Sequence, residues 1–169
     1  TADPFMYRVQ VRIIDGKTVT DDITIRTGFR FMSVDNKGNF LLNGEPYPVK
    51  GVVVTQDRAM VGTALTRYQV REDFRLITEM GANAVRVSGV CHNPEFYRLC
   101  DRYGILVWND FPLVGATYMT DKAFVDTEAF RTNGTLQSTE VLKQLYNHPS
   151  IVMWGIFSDQ ASRGDDPST

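Results

Sequence analysis

The fold is decided by residues 148–159, which read His148-Pro149-Ser150-Ile151-Val152-Met153-Trp154-Gly155-Ile156-Phe157-Ser158-Asp159. The apolar run from 151 to 157 is long enough for one buried strand and too short for a helix with a polar face. It ends in a hydroxyl and a carboxylate, those of Ser158 and Asp159. In sheets whose parallel strands alternate with helices, the chemistry sits at the carboxyl ends of the strands. Asp159 is therefore a candidate acid or base.

Three more short apolar segments precede this run, and helical patterns separate them. The predicted strands are 51–54, 84–87, 105–108 and 151–156. The first helix begins after Thr66, which has capping-box spacing to Gln69, and the second begins after Asn93. A third helical pattern covers 123–130 and 136–146, with an expected break at Asn133-Gly134.

This alternation predicts a parallel sheet with right-handed crossovers. Four such strands fit half of an eight-stranded (β/α) barrel of ~250 residues, and they also fit an open doubly wound sheet. A glycine-rich phosphate loop would favour the open sheet, but the first strand is followed by Thr55-Gln56-Asp57-Arg58. The half barrel is therefore preferred.

The first third of the chain reads as antiparallel β structure. Residues 7–13 alternate apolar and polar side chains, as in a half-buried strand, and Asp15-Gly16 predicts a tight turn to a returning strand at 23–26. Asn43-Gly44 predicts a second hairpin. The fold class expected is α/β, with antiparallel strands before the first half of a (β/α)8 barrel.

Composition excludes several classes of partner. The net charge is -2 over 169 residues, and no basic block is interleaved with aromatics, so a nucleic-acid partner is not expected. No apolar run approaches ~18 residues, so no membrane span is expected. Cys91 and Cys100 provide neither a disulfide framework nor a metal-ligand pair. The chain opens Thr1-Ala2-Asp3-Pro4 and is expected to be part of a longer protein.

Several segments resemble glycoside hydrolase family 2, which holds β-galactosidases, β-glucuronidases and β-mannosidases. Residues 40–52 resemble the entry to its catalytic barrel, and 81–88, 96–108 and 147–157 resemble its second strand, second helix with third strand, and fourth strand. Residues 7–31 are similar to the last strands of the immunoglobulin-like domain that precedes the barrel. The resemblance implies two units, a β-sandwich part at 1–31 and a truncated barrel at 32–169.

The resemblance also implies retaining hydrolysis of β-linked saccharides by two carboxyl groups ~5–5.5 Å apart, without an organic cofactor. Asp159 stands at the position of the family's acid/base Glu, and Ser158 at that of the preceding Asn. The nucleophile belongs to a seventh strand that this chain does not contain, so the isolated chain is expected to be inactive. The alternative is a non-catalytic saccharide-binding or scaffold relative, in which Ser158 and Asp159 mark a degenerate site.

Further candidates follow from position. Arg86 lies inside an apolar strand and needs a partner, either as a site-lining residue that holds carboxylates or in a structural ion pair with Asp110. Asp110, where the third strand ends, is itself a candidate for lining the saccharide site, or for capping the loop. Trp154 and Trp108 are candidates for stacking on a sugar, or for the core. No protein-held metal cluster is expected, and whether Mg²⁺ or Na⁺ assists is open.

Further expectations concern the remaining rings, the partner and the sheet edges. His148 is expected to be structural and His92 exposed, while the helical aromatics, Tyr68 and Phe74 among them, are expected in the core. The partner expected is a saccharide. A half barrel leaves two open edges and an apolar interior, so self-association is also expected.

Overall fold

The computed structural model of the chain describes residues 3–111 and 127–156. Their strands, in chain order, are β1 (Tyr7–Asp15), β2 (Thr18–Thr27), β3 (Met32–Val34), β4 (Phe40–Leu42), β5 (Glu45–Pro46), β6 (Gly51–Val54), β7 (Ala84–Val87), β8 (Leu106–Asp110) and β9 (Ile151–Gly155). The helices are α1 (Arg67–Glu79), between β6 and β7, α2 (Pro94–Tyr103), between β7 and β8, and α3 (Glu128–Leu145), before β9.

The last four strands form one parallel sheet in the order β6-β7-β8-β9. Each strand lies beside its successor, and the register pairs Val53 with Arg86 and Arg86 with Trp108. Sequential parallel order with helical crossovers is the arrangement of a barrel segment, and a doubly wound sheet would need a switch in that order. The predicted fold class is confirmed.

Local sequence explains where the first two helices begin and end. Thr66 caps α1 in a capping box with Gln69, as predicted, and Val70, Phe74 and Ile77 form its buried stripe. Asn93 caps α2 through its side chain, and Gly104 ends it with a left-handed φ of 69°. A left-handed residue after a helix is the common glycine cap. Both helices therefore pack where their patterns predict.

The helix-facing side of the sheet holds the main core. It joins Val85, Val87 and Val107 to the apolar stripes of α1 and α2. The opposite side carries Val53, Trp108 and Met153, which are 65%, 40% and 45% exposed. The parallel sheet, β6 included, is therefore covered mainly on its helix-facing side.

The β1–β2 hairpin has the predicted turn and register, with Val9 opposite Ile25. Its expected burial is not found, because every residue of β1 is exposed and no described element covers its apolar face. The end of the hairpin is attached near β9. Thr27 Oγ1 donates to the Asn147 carbonyl at 3.3 Å, and Arg30 Nη2 donates to the Ile151 carbonyl at 2.6 Å.

Three further details differ from expectation. α3 runs through Gly134 without a break, because one interior glycine costs only ~1 kcal/mol relative to alanine. Tyr68 is 76% exposed, because it lies outside the buried stripe of α1, whereas Phe74 is buried as expected. The sequence also gave no sign of β3, which pairs antiparallel with β4 and places the predicted 40–47 hairpin in a three-stranded sheet.

Candidate active site

Arg86 and Asp110 meet at the carboxyl ends of two neighbouring strands. Arg86 is the third residue of β7, and Asp110 is the last residue of β8. The guanidinium Nε donates to Asp110 Oδ2 at 2.9 Å, and the guanidinium carbon lies 4.7 Å from the centre of the Trp108 ring. The ion pair considered from the sequence is therefore present. A role for either residue in binding saccharide stays a prediction.

The carboxylate of Asp110 is almost fully buried. Its side chain is 1% exposed and that of Arg86 is 23% exposed. Asp110 Oδ1 has no hydrogen-bond partner, although Oδ2 is held by Arg86. Removal of the cation that pairs with a buried carboxylate is strongly destabilising, so Arg86 fixes this group in place. The free oxygen remains an acceptor at the end of the sheet where chemistry is expected.

Gly155 makes room for that carboxylate. It is the last residue of β9 and lies opposite Asp110 across the β8–β9 pair. A Cβ at this position would lie 2.7 Å from Trp108 Nε1 and 2.9 Å from Asp110 Cγ, and it would overlap Asp110 Oδ1. Only glycine lets the carboxylate lie against the β9 backbone, and the Trp-Gly sequence at the end of this strand therefore has a steric cause.

The two tryptophans lie on opposite sides of the sheet. Trp154 packs against the main helix-side core, and its ring stacks on Phe111 with centroids 5.5 Å apart and planes at 18°. Trp108 lies on the Arg86 side. The packing of Trp154 favours the core interpretation, and sugar stacking by Trp154 stays a prediction. Ser158 and Asp159 lie outside the described residues, three and four positions beyond the end of β9.

A buried polar network behind Asp110 was missed by the sequence reasoning. Tyr97 and Asn109 are both 0% exposed. The Tyr97 hydroxyl donates to Asn109 Oδ1 at 2.7 Å and accepts the His92 backbone N–H at 3.1 Å. Burial raises the pKa of Tyr97, so this hydroxyl stays protonated. The network ties the loop after β7 to the end of β8 and fixes the residue next to Asp110.

His148 is structural, as expected. Its Nδ1 lies 2.5 Å from Asp101 Oδ2, while Asp101 Oδ1 accepts the Ser150 hydroxyl at 2.6 Å and the Ser150 backbone N–H at 3.1 Å. Asp101 belongs to α2, and Ser150 immediately precedes β9. The three residues therefore fix where the strand that leads to Ser158 and Asp159 enters the sheet.

His92 is buried, so the expectation of an exposed ring is wrong. It is 6% exposed, and its ring packs edge-on against Phe96 at 4.9 Å because the β7–α2 loop folds inward. Burial lowers the pKa of His92 from 6.5 to about 4, while a hydrogen bond to the Val54 backbone and the charge of Asp73 oppose the shift. The ring is therefore neutral in the folded protein at pH 7.

We expect His92 to make the fold sensitive to acid. The unfolded chain takes up a proton near pH 6.5 and the folded chain does so only near pH 4, so stability is lost as the pH falls through that interval. The full loss is about 3 kcal/mol, from the size of the shift. Urea unfolding at pH 7.5 and pH 4 measures it. His92→Phe keeps the ring contact with Phe96 and removes the titrating imidazole, so this variant should lose less unfolding free energy between pH 7.5 and pH 4. An equal loss in both proteins would mean that His92 is not the cause of the acid sensitivity.

Within the described residues no cluster of three or more His, Cys, Asp or Glu could hold a metal ion. Cys91 and Cys100 are both free thiols. None of the described helices is long and apolar enough to cross a membrane.

Comparison with known proteins decides the family. Residues 32–166 match the model for "Glycosyl hydrolases family 2, TIM barrel domain". The chain belongs to glycosyl hydrolase family 2. A β-glucuronidase from Bacteroides fragilis is 43% identical over 166 residues, which is 98% of this chain and 24% of that protein. This family 2 chain therefore spans about a quarter of that relative's length.

Solved structures of family members agree with the fold. A family 2 β-galacturonidase from Eisenbergiella tayi, bound to galacturonate, matches with a TM-score of 0.81 and 31% identity over 92% of this chain and 27% of that chain. A β-glucuronidase from Bacteroides uniformis, covalently bound to cyclophellitol-6-carboxylate aziridine, matches with a TM-score of 0.78 and 35% identity over 89% of this chain and 17% of that chain. The family membership predicted from the motifs is confirmed.

Proposed function

We propose that this family 2 chain supplies the first half of an active site that hydrolyses β-linked uronides with retention of configuration. The observation that carries the proposal is the Arg86–Asp110 ion pair at the carboxyl ends of adjacent parallel strands, in a chain of this family. A buried ion pair at that edge suits a site that must hold several carboxylates in fixed positions.

In the proposed reaction each polar side chain has a separate part. Asp159 protonates the leaving oxygen and later activates water, and the attacking carboxylate comes from protein outside this chain. Arg86 orients carboxylates of the site, and Asp110, buried against the β9 backbone, holds the Arg86 guanidinium in position. Ser158 contributes a hydroxyl to the sugar. The chemistry needs no organic cofactor.

A uronide is proposed as substrate because the relatives that match are named for uronic acids. They include β-glucuronidases from two Bacteroides species and the β-galacturonidase bound to galacturonate. A carboxylate on the substrate also explains why a site would tolerate a fixed guanidinium nearby.

A second function has one observation in its favour. Asp159 and Ser158 replace the Glu and Asn that the family resemblance implies, and Asp is one methylene shorter. A displacement of about 1 Å at a reacting group can cost ~100-fold in rate. A non-catalytic saccharide-binding relative would show both changes, bind the sugar and not cleave it.

A chimera tests the proposal. We would replace the matching segment of the Bacteroides fragilis β-glucuronidase with this chain, and assay p-nitrophenyl β-D-glucuronide, galactoside and mannoside. We expect turnover of the glucuronide, none by the isolated 169-residue chain, and loss of turnover in Asp159→Asn. A folded chimera that binds glucuronate and shows no turnover would support the non-catalytic alternative. Turnover unchanged by Asp159→Asn would contradict the role of Asp159.

Self-association of the isolated chain stays a prediction. The exposed Val53, Trp108 and Met153 lie on the uncovered side of the parallel sheet, and β6 and β9 are its edge strands. Exposed apolar sheet faces and open edges favour pairing between copies. Light scattering from 5 to 200 μM should show a mass above the 19.1 kDa monomer that rises with concentration. A constant monomer mass would contradict the prediction.

A further inference from the structure

A large groove lies away from the Arg86–Asp110 pair, between strand β2 and helices α1 and α2. Its volume is about 1300 Å³. Five arginines line it, and we call it the arginine groove: Arg26, Arg71, Arg75, Arg98 and Arg102. Helices run antiparallel to the strands in a barrel, so the carboxyl ends of α1 and α2 lie at the opposite end from the candidate active site.

Helical spacing brings the arginines together. Arg71 and Arg75 are four residues apart on α1, and Arg98 and Arg102 are four apart on α2, so each pair projects from one helical face. The two helices are held side by side by Phe74, whose ring lies 6.2 Å from Phe96 and 5.4 Å from Tyr103. The sequence has no basic run, because the four cations come from two helices.

The carboxylates in the groove neutralise only part of this charge. Glu95 accepts from Arg71 Nε at 2.9 Å and from Arg71 Nη2 at 2.6 Å, and it lies 3.7 Å from Arg98. Asp101 is turned inward to His148 and Ser150. Among the described residues, Arg26 and Arg102 have no carboxylate within ion-pair distance. Arg75 is paired with Glu79 at 2.5 Å, so the excess positive charge of the groove is that of Arg26 and Arg102, in a chain whose net charge is -2.

The side chains that line the arginine groove suit a ligand with both a carboxylate and a sugar ring. A guanidinium presents a planar fork of donors that matches a carboxylate. Tyr103 also lines the groove and is 54% exposed, with the Arg102 guanidinium carbon 5.7 Å from its ring centre. An exposed aromatic face suits the C–H face of a pyranose, and the adjacent cation suits a carboxylate on that pyranose.

We propose that the arginine groove is a second saccharide site that binds a polymer containing uronic acid. The choice of a saccharide over other polyanions rests on the proposed uronide function and on Tyr103. Carboxylates along the polymer meet Arg26 and Arg102, and one sugar ring covers Tyr103. The site would hold a polymeric substrate away from the centre that cleaves its end.

Binding is measured with hyaluronan decasaccharide as the probe, by calorimetry on the 169-residue chain at 50 and 300 mM salt. We expect binding that weakens with salt and falls about tenfold or more in the double variant Arg26→Gln/Arg102→Gln. The matched control is Lys17→Gln/Lys37→Gln, which removes two exposed turn cations outside the groove and should bind as the unchanged protein does. Circular dichroism checks that each variant is folded.

Tyr103→Leu separates a saccharide from other polyanions, since it keeps an apolar contact to Phe74. It should weaken hyaluronan and leave poly-glutamate or duplex DNA unaffected. No binding by the unchanged chain, equal binding by both double variants, or tighter binding of DNA than of hyaluronan would overturn the proposal. The chimera carrying Arg26→Gln/Arg102→Gln should hydrolyse the small aryl glucuronide at the unchanged rate. Polymer binding at the groove and hydrolysis at the active site are therefore tested separately.

Discussion

Gly155→Ala is expected to lower the free energy of unfolding of the chain by about 3 kcal/mol. The new methyl group would overlap Asp110 Oδ1 and lie 2.7 Å from Trp108 Nε1. The neighbouring groups are a buried carboxylate held by Arg86 and a strand backbone, so neither moves without loss of a contact. Relief of the overlap requires the carboxylate to leave its cation or β9 to leave β8. Urea unfolding at pH 7.5 measures the change.

Gly134→Ala is the matched control. Gly134 lies inside α3, and among the described residues no side chain or other segment beyond its chain neighbours lies within 4 Å of the Cβ position. The same substitution should there raise stability by about 1 kcal/mol, the difference in helix propensity between the two residues. Opposite signs at the two positions are the expected result. Equal stability of Gly155→Ala and the unchanged chain would mean that Asp110 is not packed against β9.

Asp159→Glu is expected to raise the turnover of the chimera about 100-fold, because the added methylene moves the carboxyl roughly 1–1.5 Å toward the bond it protonates. Adding Ser158→Asn should lower KM further, since an amide offers two donors and an acceptor to the sugar where the hydroxyl offers one donor. The measurement is kcat and KM for p-nitrophenyl β-D-glucuronide.

Asp15→Glu, at the last residue of β1, makes the same chemical change at an exposed carboxylate and should leave turnover unchanged. A loss of activity in Asp159→Glu would mean that the site is built for the shorter side chain. Glucuronate binding without turnover in both forms would favour the non-catalytic function instead.

Local patterns were sufficient for the elements that carry the site. The capping box at Thr66, the Asn93 cap and the β-branched strand runs each act over a few residues, so the sequence alone predicts them. The order of the parallel strands followed from the alternation of strands and helices, and the Arg86–Asp110 pair followed from a charge inside an apolar strand.

Features set by the packing of distant segments were not predicted. The burial of His92 depends on how the β7–α2 loop folds beneath the end of β6, and the Tyr97–Asn109 bond joins a helix to a strand end. The arginine groove arises only when two helices and β2 are brought together. The break expected at Gly134 was wrong because a single glycine lowers helix stability without stopping the helix.

We propose that β9 leads Asp159 to the same edge of the sheet as Arg86 and Asp110. A crystal structure of the chimera with p-nitrophenyl 1-thio-β-D-glucuronide, which resists cleavage, tests it directly. We expect the Asp159 carboxyl within ~3 Å of the glycosidic sulfur, or linked to it through one water, on the side of the sheet that carries Asp110. A sugar bound elsewhere, or Asp159 on the opposite side of the sheet from Asp110, would contradict it.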